Sequence, residues 1–530
     1  MIQTNQASNH GNQRNLASSG PAINHFGNKI ERALDRHFFT CVIAFTIVFF
    51  ACSIAVDLRM KMWTDELLTL TMAQQASATE IVKATWEGCD GPPPLYSIVV
   101  HAILPWIPTE ALAVRLPATL GFCGMLLCLP AFCRRRMPAS YAMAATLVAC
   151  IMSLAYSNEG RGYGIILGCA AGALFCWQLA IEGRRKYLAL PGFAFCVALM
   201  TALHYYAIFF LVPFIVVEVA RWKTSRKLDW KLLASMTPVA AVLLLHYPLI
   251  AASAKFQKHY WSAATWKHVY FSLGDSSLWF NLNWILCLLW IAVFFTTGKG
   301  PLKDHLRRSL RLREWTAMGV FFLLPPLIAI LSIYTTHVFV SRYVIWVTPA
   351  LAVMFVALIC AIEDSAPMVG AGFLALFLAM AINNEWTRLS AEPLLRDGNA
   401  ANAELAQLPS SQDPIVIPNV HAFVELSHYA SPAVRQRLLY LLDAGLDQRY
   451  LHYDTDALLM GALRHRTSLH IVDLNKGLAD HKHFFVTAAP LDYLPNYLAS
   501  MGWRVKLLHM SPDAALFEVT WTPDAKIPAQ

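Results

Sequence analysis

FFTCVIAFTIVFFACSIAVDLRMKMWTDE, residues 38–66, holds both halves of the problem. Residues 38–57 carry no charge until Asp57, and an apolar run of about 20 residues is the length needed to cross a bilayer. Immediately afterwards come Trp63, Thr64 and two adjacent carboxylates, Asp65 and Glu66. Carboxylates at a membrane surface are costly to desolvate, so they need water or a task.

The rest of the chain repeats the first half of that pattern. Of the 530 residues, 57% are hydrophobic and only 14% are charged, and the mean hydropathy is +0.45. Soluble proteins average about 25% charged residues. So few charges cannot cover a water-facing surface of this size, and most of the chain must face lipid or other helices. Apolar runs at about 38–57, 112–133, 139–156, 162–181, 188–205, 206–220, 231–250, 279–297, 315–334, 343–362 and 367–384 predict an all-α polytopic membrane protein of about eleven transmembrane helices. The boundary at Leu203-His204-Tyr205-Tyr206 is the least marked.

The loops orient these spans. With the N-terminus inside, Arg134-Arg135-Arg136, Arg184-Arg185-Lys186 and the runs Arg221–Lys231 and Lys299–Arg313 all fall on the cytoplasmic side. The opposite loops hold single charges such as Arg161 and Arg342. This is the positive-inside pattern, and it accounts for the net charge of +8 without nucleic acid, for which no patch interleaves basic and aromatic residues. Glu363-Asp364 is the one inside loop without a basic residue. Of the twelve cysteines only Cys89 lies in an outside loop, and none has zinc-site flanks.

Three parts follow. Residues 1–37, rich in Asn, Gln and Ser, read as a disordered cytoplasmic tail. Residues 38–384 form the membrane domain, whose first outside loop, 58–111, is too long for a plain connector. That loop carries an amphipathic stretch, Leu95–Trp106, suited to lie at the interface. Residues 385–530 regain charges, turns and short alternations such as Pro414-Ile415-Val416-Ile417 and His483-Phe484-Phe485-Val486, and read as a small α/β domain outside the membrane. It has no Gly-rich phosphate loop and no metal-spaced His pair.

In this topology Asp65, Asp90, Glu159, Arg161, His204, His337 and Arg342 all reach the outside face. Each has a plain reading. Asp65 can cap the helix that begins at Glu66, Glu159 and Arg161 can pair with each other at a helix end, and Tyr at an interface is usually an anchor. Asp90 opens Asp90-Gly91-Pro92-Pro93-Pro94-Leu95-Tyr96, where three prolines stiffen the backbone. Together the groups offer a base and arginines, as transfer from a phosphorylated donor requires. A carboxylate takes the acceptor proton and arginine holds the negative charge on the leaving phosphate.

These residues carry a family resemblance. Asp65-Glu66 after Trp63, Asp90 with Pro93-Pro94-Leu95-Tyr96, Arg115-Leu116-Pro117, Ser157-Asn158-Glu159-Gly160-Arg161-Gly162-Tyr163, Leu203-His204-Tyr205 and Arg342-Tyr343 stand in the order of motifs in the GT-C fold. The chain resembles the polytopic glycosyltransferases of that fold which use lipid-linked sugars. This group contains the protein O-mannosyltransferases and aminoarabinose transferases, and the likeness is strongest to bacterial glycosyltransferase family 39-like members. Departures are Ser97 for a second Tyr, Asn158 for Gln, Gly160 for Ala, and Pro92 for a His before the proline pair, which weakens a metal role there.

The resemblance implies inverting transfer of a sugar from a polyprenyl-phosphate donor, of undecaprenyl or dolichyl type, to an acceptor hydroxyl. The reaction would take place on the outer face of the cytoplasmic (inner) membrane. The acceptor is a lipid, glycan or protein, and a divalent metal is possible but not required. Asp65 would be the base and Glu66 an orienting group. Arg161 and Arg342 would bind the donor phosphate, and Asp90, Glu159, His204, Tyr205, Tyr96, Tyr343 and His337 would shape the pocket. An O-antigen polymerase or ligase shares the spans but does not account for the early Asp-Glu loop. A transporter would place ionisable residues and broken helices at mid-membrane, whereas here the charges gather at one face.

Overall fold

The computed structural model describes residues 20–254, 259–271, 306, 309–362, 366–408, 411–489 and 492–526. Among these, ten helical segments are long and apolar enough to cross a membrane: His25–Arg59, Glu110–Arg134, Ala139–Ser157, Tyr163–Ile181, Lys186–Leu203, Tyr205–Ser225, Trp230–Ser253, Leu312–Tyr334, Ser341–Ala361 and Pro367–Ser390. They match ten of the eleven expected spans. The eleventh, at 279–297, lies outside the described residues, as does Glu363-Asp364.

The segment at 20–37 departs from the expected disordered tail. Helix α1 (Gly20–Arg59) begins well before the apolar run, with a non-helical residue at His37 where it changes direction. Tertiary contacts hold this polar extension. Glu31 accepts the backbone N–H of Ala139 at 2.5 Å, and Asp35 pairs with Arg134 at 2.7 Å. A polar composition argues against an isolated helix, but not against one fastened to its neighbours.

The expected weak boundary near residue 205 is a real break. The Lys186–Leu203 helix stops at His204, whose backbone is extended, and the chain resumes as a 3-10 turn over Tyr205–Leu211. The long loop at 58–111 folds into three short α-helices, α2 (Thr64–Ala73), α3 (Ala78–Glu87) and α4 (Leu95–Ile103). Ser77 caps α3 through the Glu80 N–H, and Gly88 ends it in a left-handed conformation at φ 94°.

Helix α5 (Glu110–Arg134) and the Tyr163–Ile181 helix pack closely because glycines line the seam. A Cβ on Gly164 would stand 2.2 Å from the Ala118 carbonyl oxygen, and one on Gly168 would stand 2.1 Å from that of Gly121. Small residues are what let helices approach in lipid, where apolar burial gives little drive.

Beyond the Pro367–Ser390 helix the chain forms a six-stranded mixed sheet, with strands β1 (Ile415–Val416), β2 (Leu438–Leu442), β3 (Ile471–Asp473), β4 (His483–Ala488), β5 (Arg504–Met510) and β6 (Ala515–Thr520). The order is β3-β2-β1-β4-β6-β5. The pairs among β3, β2, β1 and β4 are parallel, and those of β6 with β4 and β5 are antiparallel. The two alternating stretches singled out in the sequence are β1 and β4. This small α/β domain rests on α2 and α3, where Arg466 clasps Glu80 and Glu87 at 2.6–2.7 Å.

Candidate active site

The adjacent carboxylates separate into two roles. Glu66 is locked. Arg115, reaching out of α5, donates through Nε and an Nη to its two oxygens at 2.7 and 2.6 Å. The Gly160 and Trp63 N–H groups add bonds at 2.9 and 3.2 Å. The same guanidinium holds the carbonyls of Asp57, Met60 and Lys61, fixing the turn from α1 into α2. Glu66 therefore caps α2, and Asp65 sits in the first turn rather than at the cap. Gly160 is also explained here, since a Cβ would lie 2.2 Å from Val114 and 3.3 Å from Glu66 Oε1.

Asp65 is held loosely by comparison. Its oxygens lie 3.5 Å from an Nη of Arg161 and 3.3 Å from an Nη of Arg342. Burial works against its ionisation, but Arg161, Arg342 and His421 outweigh burial and hold the carboxyl below its usual range. Asp65 is thus a carboxylate flanked by two cations and not tightly bonded to either.

Arg161 is anchored on its other side by Asp90, 2.5 Å away, and Asp90 is itself held by the Gly91 N–H at 2.9 Å. Burial opposes the Arg161 cation, but Asp90 and Asp65 more than offset it and hold the cation firmly charged. The proline run thus places an arginine anchor. Glu159 does not pair with Arg161 as their spacing suggests. It turns to Arg342 at 4.0 Å, and its Oε1 is buried without a hydrogen-bond partner. Burial, only partly offset by Arg342, pushes its pKa up to about 7. Arg342 Nε is also buried and unpartnered. A buried orphan donor, Arg342 Nε, beside a loose carboxylate leaves capacity for an anion.

An aromatic wall adjoins these charges. The His204 ring lies 4.8 Å from Tyr343, 5.8 Å from Tyr206 and 6.1 Å from Tyr163. Tyr206 is pinned by its hydroxyl, which contacts Ser332 and Thr336 and donates to the Val338 carbonyl at 2.7 Å. Tyr343 meets the Tyr260 hydroxyl at 3.2 Å. A small cavity opens between wall and arginine, lined by Thr69, Asp90, Tyr96, Arg161, Tyr163 and His204 among others. Tyr96 is buried there, its hydroxyl donating to the Val114 carbonyl at 2.8 Å.

Two expected pocket residues stand elsewhere. His337 is exposed in a left-handed turn at φ 57°, its backbone bonded to Ser332 and Ala264. The turn that brings Arg342 inward leaves it outside. Tyr205 points across to His246 at 3.3 Å, because the 3-10 turn after His204 sends consecutive side chains to different faces. The sequence alone gives Arg115 and His421 no role. Arg115 had a signal, a lone cation opening an apolar span. His421 had none, since only the tertiary fold brings it near Asp65. Among the described residues no group of three or more His, Cys, Asp or Glu side chains is arranged to hold a metal ion.

No protein-family model matches the chain, and no curated protein matches it in sequence. Solved structures do match. ArnT from Cupriavidus metallidurans in the apo state superposes with a TM-score of 0.55 at 12% identity, covering 91% of this chain and 98% of that one. The same protein bound to undecaprenyl phosphate gives 0.54 at 13% identity, covering 92% and 99%. The likeness spans the membrane helices and the C-terminal domain together, and the chain has the GT-C fold of ArnT.

Proposed function

We propose that this chain is a membrane glycosyltransferase that moves a sugar from a polyprenyl-phosphate donor to an acceptor hydroxyl with inversion, Asp65 acting as base. The observation that carries the reading is the contrast at residues 65 and 66. Glu66 spends both oxygens on Arg115, whereas Asp65 stands between Arg161 and Arg342 at 3.3–3.5 Å with its oxygens available. The fold shared with ArnT, which has been seen with undecaprenyl phosphate, supports the donor class.

The chemistry follows from the charges. The donor phosphate competes with Asp65 for Arg342 and Arg161, and the orphan Nε of Arg342 gives it a free donor. As the arginines turn to the phosphate, Asp65 loses their pull and becomes a stronger base. The acceptor hydroxyl then attacks the anomeric carbon from the face opposite the phosphate. Its proton passes to Asp65, the bond from carbon to phosphate oxygen breaks, and the polyprenyl phosphate leaves with the electron pair, its charge held by the arginines. His204, Tyr343 and Tyr163 offer ring faces to the sugar. By the distribution of basic loops, this end of the bundle faces away from the cytoplasm and the N-terminus lies inside.

The test is transfer of labelled sugar from undecaprenyl-phosphate-linked donors into a membrane extract. Asp65→Asn is expected to lower transfer by about 10²–10⁴-fold while the protein still inserts. Undiminished transfer by Asp65→Asn removes Asp65 as the base.

A further inference from the structure

The C-terminal domain grips the turn that carries Asp65. Four consecutive residues before it are each touched by that domain. Lys61 lies over the Tyr429 ring at 5.5 Å, and the Met62 N–H donates to the Tyr429 hydroxyl at 2.7 Å. The Arg396 guanidinium covers the Trp63 ring at 4.1 Å, and the Thr64 hydroxyl donates to the His421 carbonyl at 3.3 Å. Tyr429 and His421 belong to one helix, Val420–Tyr429, started by the Asn419 side chain capping the Ala422 N–H. The bond from Thr64 fixes the start of that helix against the residue preceding Asp65.

The side chain of His421 is then left in an unusual position. Its Nδ1 is buried and has no hydrogen-bond partner, a costly arrangement unless something fills it. The carboxylates near enough to feel this imidazole electrostatically are Asp65 from α2, Glu425 from its own helix, and Asp456 from the Thr455–Leu463 helix. Tyr453 holds Asp456 through a side-chain hydrogen bond. The donor-side cations, Arg161 and Arg342, come from the membrane helices and their loops. His421 comes from the C-terminal domain instead, and the bond from Thr64 to its carbonyl sets it beside the turn that carries Asp65.

We propose that His421 is an acceptor-binding residue, its Nδ1 hydrogen-bonding the hydroxyl-bearing acceptor group that Asp65 deprotonates. The domain thereby completes the acceptor side of a site whose donor side is built in the membrane. The assignment rests on the glycosyltransferase reading and adds the residue that separates acceptor use from donor binding.

The experiment uses the full-length protein and two readouts. One is transfer of labelled sugar from an undecaprenyl-phosphate-linked donor into membrane extract. The other is the thermal shift produced by undecaprenyl phosphate alone. His421→Ala is expected to cut transfer at least about tenfold, the size of a lost hydrogen bond of about 1.4 kcal/mol, while the thermal shift stays that of the wild type. His421→Asn, which places an amide near the Nδ1 position, is expected to regain part of the transfer, and His421→Gln less. Should His421→Ala fail to accumulate, the Asn and Gln variants carry the comparison.

Transfer by His421→Ala within twofold of wild type overturns the proposal. Loss of the undecaprenyl phosphate shift overturns its acceptor-side assignment. Equal loss in the Ala and Asn variants with a lowered melting temperature makes the histidine structural and overturns it too. Absence of transfer by the wild-type protein strikes the glycosyltransferase reading itself, a different result from transfer that ignores His421.

Discussion

Each end of the helix bundle carries a knot of buried charge, and the two are tied differently. At the basic end, Arg136 donates to both oxygens of Glu314 at 2.7–2.9 Å and also reaches Glu182, which Arg135 meets as well. Gln178 adds a bond to Glu314 at 3.0 Å, and Glu314 closes its own helix start through the Arg311 N–H at 2.8 Å. All four carboxylate oxygens there are taken. At the other end Asp65, Glu159 and Arg342 meet only at 3.3–4.0 Å, with Glu159 Oε1 and Arg342 Nε unpartnered. The basic end has orphans of its own at Arg135 Nε and Gln178 Oε1, but its carboxylates are fully bonded and join helices, whereas Asp65 and Glu159 are held only at long range and keep capacity for something that arrives. The teaching is that buried charge alone does not mark a site. Carboxylates left without close partners do.

That comparison can be broken at either end. Removing one partner of a buried pair typically costs about 3–5 kcal/mol because the other charge is stranded, so Glu314→Ala is expected to lower stability by that amount, seen as a large fall in melting temperature in detergent. Arg342→Ala is expected to do the reverse. Transfer falls by about 10²–10³-fold, the cost of losing a donor to developing negative charge, with a melting temperature close to wild type. If Arg342→Ala unfolds the protein and Glu314→Ala does not, the roles of the two knots have been exchanged.

A smaller effect sharpens the distinction through pH. Burial raises the Glu159 carboxyl from an ordinary 4.5 to about 7. The folded protein then holds a proton that the unfolded chain releases above pH 4.5, so this group favours the fold at low pH. That contribution is lost as pH rises through 7. Melting temperature is expected to decline from pH 5 to pH 8, and Glu159→Gln, which stays neutral, should flatten that part of the profile. An unchanged slope in Glu159→Gln would assign the dependence to other groups.

How far the sequence carried these conclusions depends on the length scale of each feature. Apolar runs and basic loops are local, so the runs locate the ten described spans and the loops give the expectation of an outside face before any packing is known. The chemistry-bearing types were also visible, and Asp65, Asp90, Glu159, Arg161, His204 and Arg342 do converge. Their pairings were not legible. Glu159 and Arg161, two residues apart, point to different partners, while Glu66 finds Arg115 at a separation of 49 residues. Thr64 meets the backbone of His421 at a separation of 357. A carboxylate's role follows from who satisfies it, and that is settled by the tertiary fold. His337 shows the converse, since its sequence neighbourhood with Arg342 did not survive a left-handed turn.

The most direct measurement sets the two adjacent carboxylates side by side. Asp65→Asn and Glu66→Gln are each assayed for transfer from an undecaprenyl-phosphate-linked donor and for melting temperature. Expected is a clean split. Asp65→Asn loses transfer and keeps its melting temperature, whereas Glu66→Gln loses stability as Arg115 is left without its counter-charge. Transfer retained by Asp65→Asn, or a melting temperature that falls with Asp65→Asn and not with Glu66→Gln, would contradict the assignment of the base.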